Sequence, residues 1–131
     1  MNQRWLFQGD SITDSDRNRL LSDDVGQGYV KWLAESLKCD YPNIILINRG
    51  ISGHRTHDLV LRWHQDTIAI NPDRLFLLIG INNIWHQYLL NKPAYLYEYN
   101  HHLRWMLNET KRFLPHTKTT SIYGRFFDAI L

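Results

Sequence analysis

The sequence predicts an α/β domain, a parallel sheet with helices on both faces, and two observations carry that prediction. Three short apolar runs, around Trp5-Leu6-Phe7, at Ile44–Asn48 and at Leu75–Ile79, each stop at a glycine-containing polar turn. Runs bounded in this way read as buried strands. Between them lie stretches in which apolar residues recur at helical spacing. Strands alternating with helices through short links give a parallel sheet built by right-handed crossovers. In such a sheet the carboxyl ends of the strands share one edge, where ligands gather.

The elements follow in order. The first strand ends in Gly9-Asp10-Ser11-Ile12-Thr13, and residues 14–28 form a polar loop long enough to suggest a function. From Gln27 or Gly28 a helix begins, with Tyr29, Val30, Leu33, Ala34 and Leu37 inward and Lys31, Glu35 and Lys38 outward, until Pro42-Asn43 breaks it. The second strand is continuously apolar, as burial on both faces requires, and ends in Arg49-Gly50-Ile51-Ser52-Gly53. Thr56 or His57 opens a helix carrying Leu59, Val60, Trp63 and Ile68, closed by Asn71-Pro72-Asp73. The third strand stops at Gly80-Ile81-Asn82-Asn83. Pro93 suits the first turn of a third helix, whose stripe is Leu96, Tyr99, Leu103, Met106, Leu107, Thr110 and Phe113. Thr119 to Tyr123 has the β-propensity of a strand but is too polar for a central one.

Composition removes several classes of function. The 131 residues set the scale of a single domain, 1–131. Fifteen Lys and Arg are mixed among thirteen Asp and Glu, with no one-sided basic cluster, so no nucleic-acid partner is expected. Cys39, the only cysteine, excludes an intrachain disulfide and is expected to pack as a small buried hydrophobe. No segment has the length of a bilayer span or a leader's apolar region. A cytoplasmic location is expected, in which the Asn108-Glu109-Thr110 sequon is idle. No turn carries a phosphate-binding glycine pattern, which disfavours a nucleotide binder. No cofactor and no metal are expected.

Ser11 stands where a strand-end nucleophile would be placed. Asp10, Ser11 and Thr13 also suit a helix cap or turn, and Asn82-Asn83 suits an Asx turn. The three turns together are more specific. Gly9-Asp10-Ser11-Ile12-Thr13, Asn48-Arg49-Gly50-Ile51-Ser52-Gly53 and Gly80-Ile81-Asn82-Asn83, in order on successive strand ends, resemble the GDSL-type (SGNH) hydrolases over residues 4–116. That family is named for a Ser, Gly, Asn and His in four sequence blocks. The resemblance implies a three-layer, flavodoxin-like sheet with helices on both faces, incomplete at its C-terminus. It implies a serine ester hydrolase with Ser11 as nucleophile and an oxyanion hole formed by the N–H groups of Ser11 and Gly50 and the Asn82 amide. Such fixed donors are each worth about a hundred- to a thousandfold in rate. Asp10 is expected to brace the nucleophile turn, and Asn83, where the family usually has Asp, to tie down its own turn. The implied substrate is a small-molecule ester or an acylated sugar, with Trp85, Tyr88 and Tyr95 as candidates to line its pocket.

The fourth block is absent. None of the seven histidines (54, 57, 64, 86, 101, 102 and 116) has Asp three residues before it. His54 and His57 follow the Gly50 turn, and Glu98-x-x-His101 is half of a di-iron helix motif without its second half. Without the His base a serine hydrolase loses on the order of a millionfold in kcat, so impaired catalysis is expected. The alternative is a non-catalytic acyl- or carbohydrate-binding or assembly module. Residues 117–131 form an atypical tail in place of a fourth apolar strand and the Asp-x-x-His. A truncated gene is expected, with a reading-frame slip near residue 118. Its uncovered sheet edge and apolar faces would favour a homodimer.

Overall fold

In the computed structural model, residues 1–91 and 96–121 are described, so Pro93, Tyr95, Tyr123 and the rest of the 122–131 tail lie outside the account. Four strands, β1 (Gln3–Gly9), β2 (Ile44–Asn48), β3 (Arg74–Leu78) and β4 (Lys118–Ser121), form one sheet in the order β2-β1-β3-β4. Every pairing is parallel; Leu6 of β1, for example, stands between Ile47 and Leu75. The carboxyl ends of β1, β2 and β3 therefore lie side by side, as the alternating pattern requires.

Strand alternation divides the core between two faces. On one face Leu6, Ile47, Leu75, Leu77 and Ile79 pack with Leu59 and Trp63 of α3 (Thr56–Trp63) and Met106 of α5 (Leu96–Phe113). On the other face Phe7 and Leu46 meet Val30 of α2 (Tyr29–Leu37), and Phe7 stacks on Phe76 with centroids 4.8 Å apart. Helices thus cover both faces, giving the three-layer arrangement expected. Trp63 is fully buried and its Nε1 donates to Thr110 Oγ1 at 3.1 Å, so its one polar atom is satisfied.

Three local features differ from the sequence expectation, and a fourth agrees with it. Cys39 is exposed, not buried, because the inward stripe Val30, Leu33, Ala34, Leu37 leaves position 39 in the turn beyond the helix. The helix after β2 does not run as a uniform α-helix; α3 passes into a π-helical turn at His64–Ile68. The Gly80 turn opens directly into a further helix, α4 (Ile81–Leu89), none of whose residues is buried. The polar segment Lys118–Ser121 does pair, at the outer edge beside β3, where alternate residues are exposed as its composition demands. Among the described residues no helix is long and apolar enough to cross a membrane.

Candidate active site

At the end of β1 the chain turns sharply into α1 (Ser11–Asp14), a single helical turn. Asp10 caps it: Oδ1 accepts the Ile12 N–H at 3.0 Å. The capping carboxyl is fully buried and Oδ2 has no partner among the described residues; burial raises its pKa against the lowering effect of the Ile12 N–H. Ser11 itself is exposed, and neither its N–H nor its Oγ has a partner among the described residues. A free N–H at the start of a helical turn is one of the donors that a developing anion needs.

The turn after β2 is locked onto α1. Asn48 is fully buried; its Nδ2 donates to Thr13 O at 2.6 Å and Val25 O at 2.9 Å, and its Oδ1 accepts the Gly50 N–H at 2.9 Å. Asp14 adds a second lock: Oδ2 accepts from the Ser52 N–H (2.9 Å), Ser52 Oγ (3.1 Å) and Arg19 (3.1 Å). Burial pushes the Asp14 carboxyl up, but these donors outweigh it and hold the pKa below the ordinary value.

These contacts bear on Gly50, expected from the resemblance to donate to an oxyanion. Its N–H is spent on Asn48 and its carbonyl accepts from Arg17 Nε at 2.8 Å. A Cβ at position 50 would come within 2.5 Å of Asp14 N and 2.8 Å of Thr13 Cβ, so Gly50 is the flat surface on which the nucleophile turn rests. Across residues 49–54 the N–H groups of Arg49, Gly50, Ile51, Ser52 and His54 all have acceptors. Only that of Gly53 has none among the described residues. Gly53 has φ +83°, a region that suits glycine, and an added Cβ there would meet nothing within 4 Å. The open donor of this turn is Gly53, and no sequence pattern tells two glycines of one turn apart.

The end of β3 contributes Asn82 in the first turn of α4, entered through Gly80 at φ 136°, which only glycine adopts readily. Asn82 Nδ2 donates to His54 O at 3.1 Å, which ties this end to the turn after β2 and leaves the second amide hydrogen for another acceptor. Asn83 departs from expectation. It braces α3 instead of its own turn: Oδ1 accepts the Thr56 N–H at 3.1 Å and Nδ2 donates to Thr56 Oγ1 at 2.8 Å.

No histidine reaches Ser11 Oγ among the described residues. His54 Nδ1 accepts from Arg62 Nε at 3.1 Å, His64 pairs with Glu109 at 2.6 Å, and His102 Nδ1 lies 3.0 Å from Thr56 Oγ1. Burial, then the Arg62 cation, lowers the pKa of His54; burial lowers that of His102. No group of three His, Cys, Asp or Glu residues suited to a metal ion occurs among the described residues. Sequence reasoning missed Asp14, Asn48, Thr56 and Arg62. Each is a polar residue at a position that only the fold buries or pairs.

A parallel α/β sheet with a serine at one strand end and amide donors at the next two is the framework of a serine hydrolase. The GDSL-like lipase/acylhydrolase family matches residues 7–128, and the chain belongs to that family. An acetylxylan esterase from Geobacillus stearothermophilus is 42% identical over 119 residues, covering 83% of this chain and 54% of that protein. A GDSL-like lipase structure from Parabacteroides merdae superposes with a TM-score of 0.83 at 36% identity, covering 92% of this chain and 58% of that one. The Geobacillus acetylxylan esterase structure superposes with a TM-score of 0.79 at 39% identity, covering 89% and 58%. The chain thus spans little more than half the length of these relatives. Solved catalytic mutants of that esterase replace a serine, a histidine or an aspartate three positions before that histidine.

Proposed function

We propose that the chain is the nucleophile and oxyanion part of a serine ester hydrolase acting on small acyl esters, with acetylated oligosaccharides as the substrate class. Ser11 Oγ attacks the ester carbonyl carbon, and the carbonyl electron pair moves onto oxygen. That oxyanion is held by the Ser11 N–H, the Gly53 N–H and the free hydrogen of the Asn82 amide, while Gly50 serves as packing. Collapse of the intermediate expels the alcohol and leaves an acyl group on Ser11, which water then removes. The observation that carries the reading is the pattern of spent and open donors. Among the described residues, the Asn48 side-chain amide and the N–H groups of Gly50, Ile51, Ser52 and His54 are paired, whereas the Ser11 N–H and the Gly53 N–H have no partner. The esterase and lipase relatives support a hydrolase and lend nothing to a non-catalytic binding module.

The Ser11 proton is left to water, because the 131 residues contain no Asp-x-x-His and no histidine bonds to Ser11 Oγ among the described residues. The expected rate is the residual about 10³–10⁴ over water that oxyanion stabilisation and binding alone supply. Mass spectrometry after fluorophosphonate treatment tests the site: slow modification at Ser11, abolished by Ser11→Ala, is expected. Modification only at other residues overturns it. Turnover of p-nitrophenyl acetate at rates typical of complete serine hydrolases would refute the missing base.

A further inference from the structure

Beneath the strand ends sits one buried cation that the proposed chemistry does not use. Arg62, near the end of α3, has a side chain only 12% exposed. Its Nη1 reaches Gln8 Oε1 (3.0 Å), Arg49 O (2.8 Å) and Asp66 Oδ2 (3.1 Å), and its Nη2 reaches Gly9 O (3.4 Å). Its Nε donates to His54 Nδ1. One guanidinium therefore touches the last residue of β1, the first residue after β2 and the residue whose carbonyl anchors Asn82. The π-helical turn supports it from below: Gln8 Nε2 donates to Asp66 O at 2.8 Å and Thr67 Oγ1 at 3.0 Å, with Thr67 fully buried. Single π-turns often mark functional sites, and here the turn presents Asp66 to Arg62 and its backbone to Gln8.

We propose that Arg62 is a positioning residue that sets the spacing of the Ser11, Gly53 and Asn82 donors and fixes His54 in its Nε2–H form. The inference rests on the hydrolase reading for its first half and on geometry alone for its second. An Arg Nε always carries hydrogen, so Nδ1 of His54 is the acceptor and the neutral ring keeps its proton on Nε2. His54 is thereby barred from serving as a base through Nε2 and becomes a donor beside Gly53. Lysine cannot replace Arg62, because its three donors sit on one nitrogen, whereas Arg62 meets five acceptors from three nitrogens of a rigid planar fork. The charged groups facing the His54 ring are Arg62, Asp58, Arg19 and Asp66.

The test uses the 131-residue chain labelled with ¹⁵N-histidine, the His54 signals being assigned by their loss in His54→Gln. Unmodified protein at neutral pH is expected to show His54 as the Nε2–H tautomer. The Nδ1–H tautomer overturns the proposal without any substitution at Arg62. In Arg62→Lys, fold retention is checked by near-UV circular dichroism. There the tautomers are expected to mix and the rate of fluorophosphonate modification at Ser11 to fall about tenfold to a hundredfold, the scale of a small misplacement. A folded Arg62→Lys protein modified at the unaltered rate, with its His54 tautomer unchanged, overturns the proposal. If unsubstituted protein is not modified at Ser11, the hydrolase reading fails while the tautomer still decides the role of Arg62 toward His54.

Discussion

The turn after β2 and the helix after β3 each bring a donor toward Ser11, and they are anchored in different ways. The β2 turn is held by the Asn48 amide, the Asp14 carboxylate, the Gly50–Thr13 contact and the Arg62 guanidinium, most of them buried. Among the described residues the Asn82 side chain makes one hydrogen bond, to His54 O, beside the two that Asn83 makes to Thr56, on a helix whose outer side bears Trp85 (53% exposed) and Tyr88 (72% exposed), stacked at 5.7 Å. The difference teaches where rigidity resides. Polar cross-links made within the first 62 residues fix the nucleophile side, whereas the Asn82 side leans on that frame, and none of the α4 residues is buried.

Substitutions probe this contrast from its strongest side to its weakest. Asn82→Ala is expected to slow Ser11 acylation about a hundred- to a thousandfold with an almost unchanged melting temperature, as stopped-time labelling and calorimetry would read. Equal losses of rate and stability would instead place Asn82 inside the rigid frame. Asp14→Ala removes the acceptor of the Ser52 N–H and hydroxyl, while the Arg17 N–H keeps the backbone carbonyl of residue 14. At about 0.5–1.5 kcal/mol for each lost hydrogen bond at the exposed Ser52, and with the half-exposed Arg19 pair counted for little, a loss of about 1–3 kcal/mol in urea unfolding is expected. Gly50→Ala forces a methyl group onto the backbone of Thr13 and Asp14 and is expected to cost about 1–3 kcal/mol. Trp85→Ser is expected to change stability by less than about 0.5 kcal/mol while reducing any self-association seen by light scattering.

The contrast also has a pH signature. The folded pKa of Asp14 lies below the unfolded value of 3.8, so its stabilisation is complete above that value and is lost as pH falls through the folded one. Asp14→Asn should therefore differ from the parent at neutral pH and converge with it in acid. His54, lowered from 6.5, likewise favours the fold when neutral, so its contribution fades as pH falls below about 6.5. Asp10 works in the opposite sense. Its raised pKa means that the protonated form suits the buried cap, and its contribution is lost as pH rises through the folded value. Asp10→Asn, neutral throughout and still able to accept the Ile12 N–H, should flatten that limb.

Much of this was legible in the sequence because it rests on periodicity. The strands, their parallel order, α2, α3 and the three glycine-marked ends follow from alternation and spacing in residues such as Leu6, Ile47 and Leu77. Ser11 and Asn82 could be put forward from the sequence because each stands at the head of a turn. Gly53 could not be, since which N–H is spent depends on Asn48, a residue that reads only as the last of a strand. Helix α4 was hidden because none of its residues is fully buried, Ile81, Ile84 and Trp85 all remaining partly exposed. Arg62 was hidden for the reverse reason: on a helix it reads as a solvent-facing cation, and only the packing of α3 under β1 buries it.

The central place of β1 sets the order in which the domain acquires its working shape. Its seven residues and the Ser11 turn are made before either partner strand, and β1 has partners on both sides only after Asn48 and Leu78 have been made. Contacts of such wide sequence separation form late and slowly. The Ser11 turn therefore exists well before it is fixed. During that interval its apolar strand, Trp5 to Phe7, is a template for mispairing with other chains.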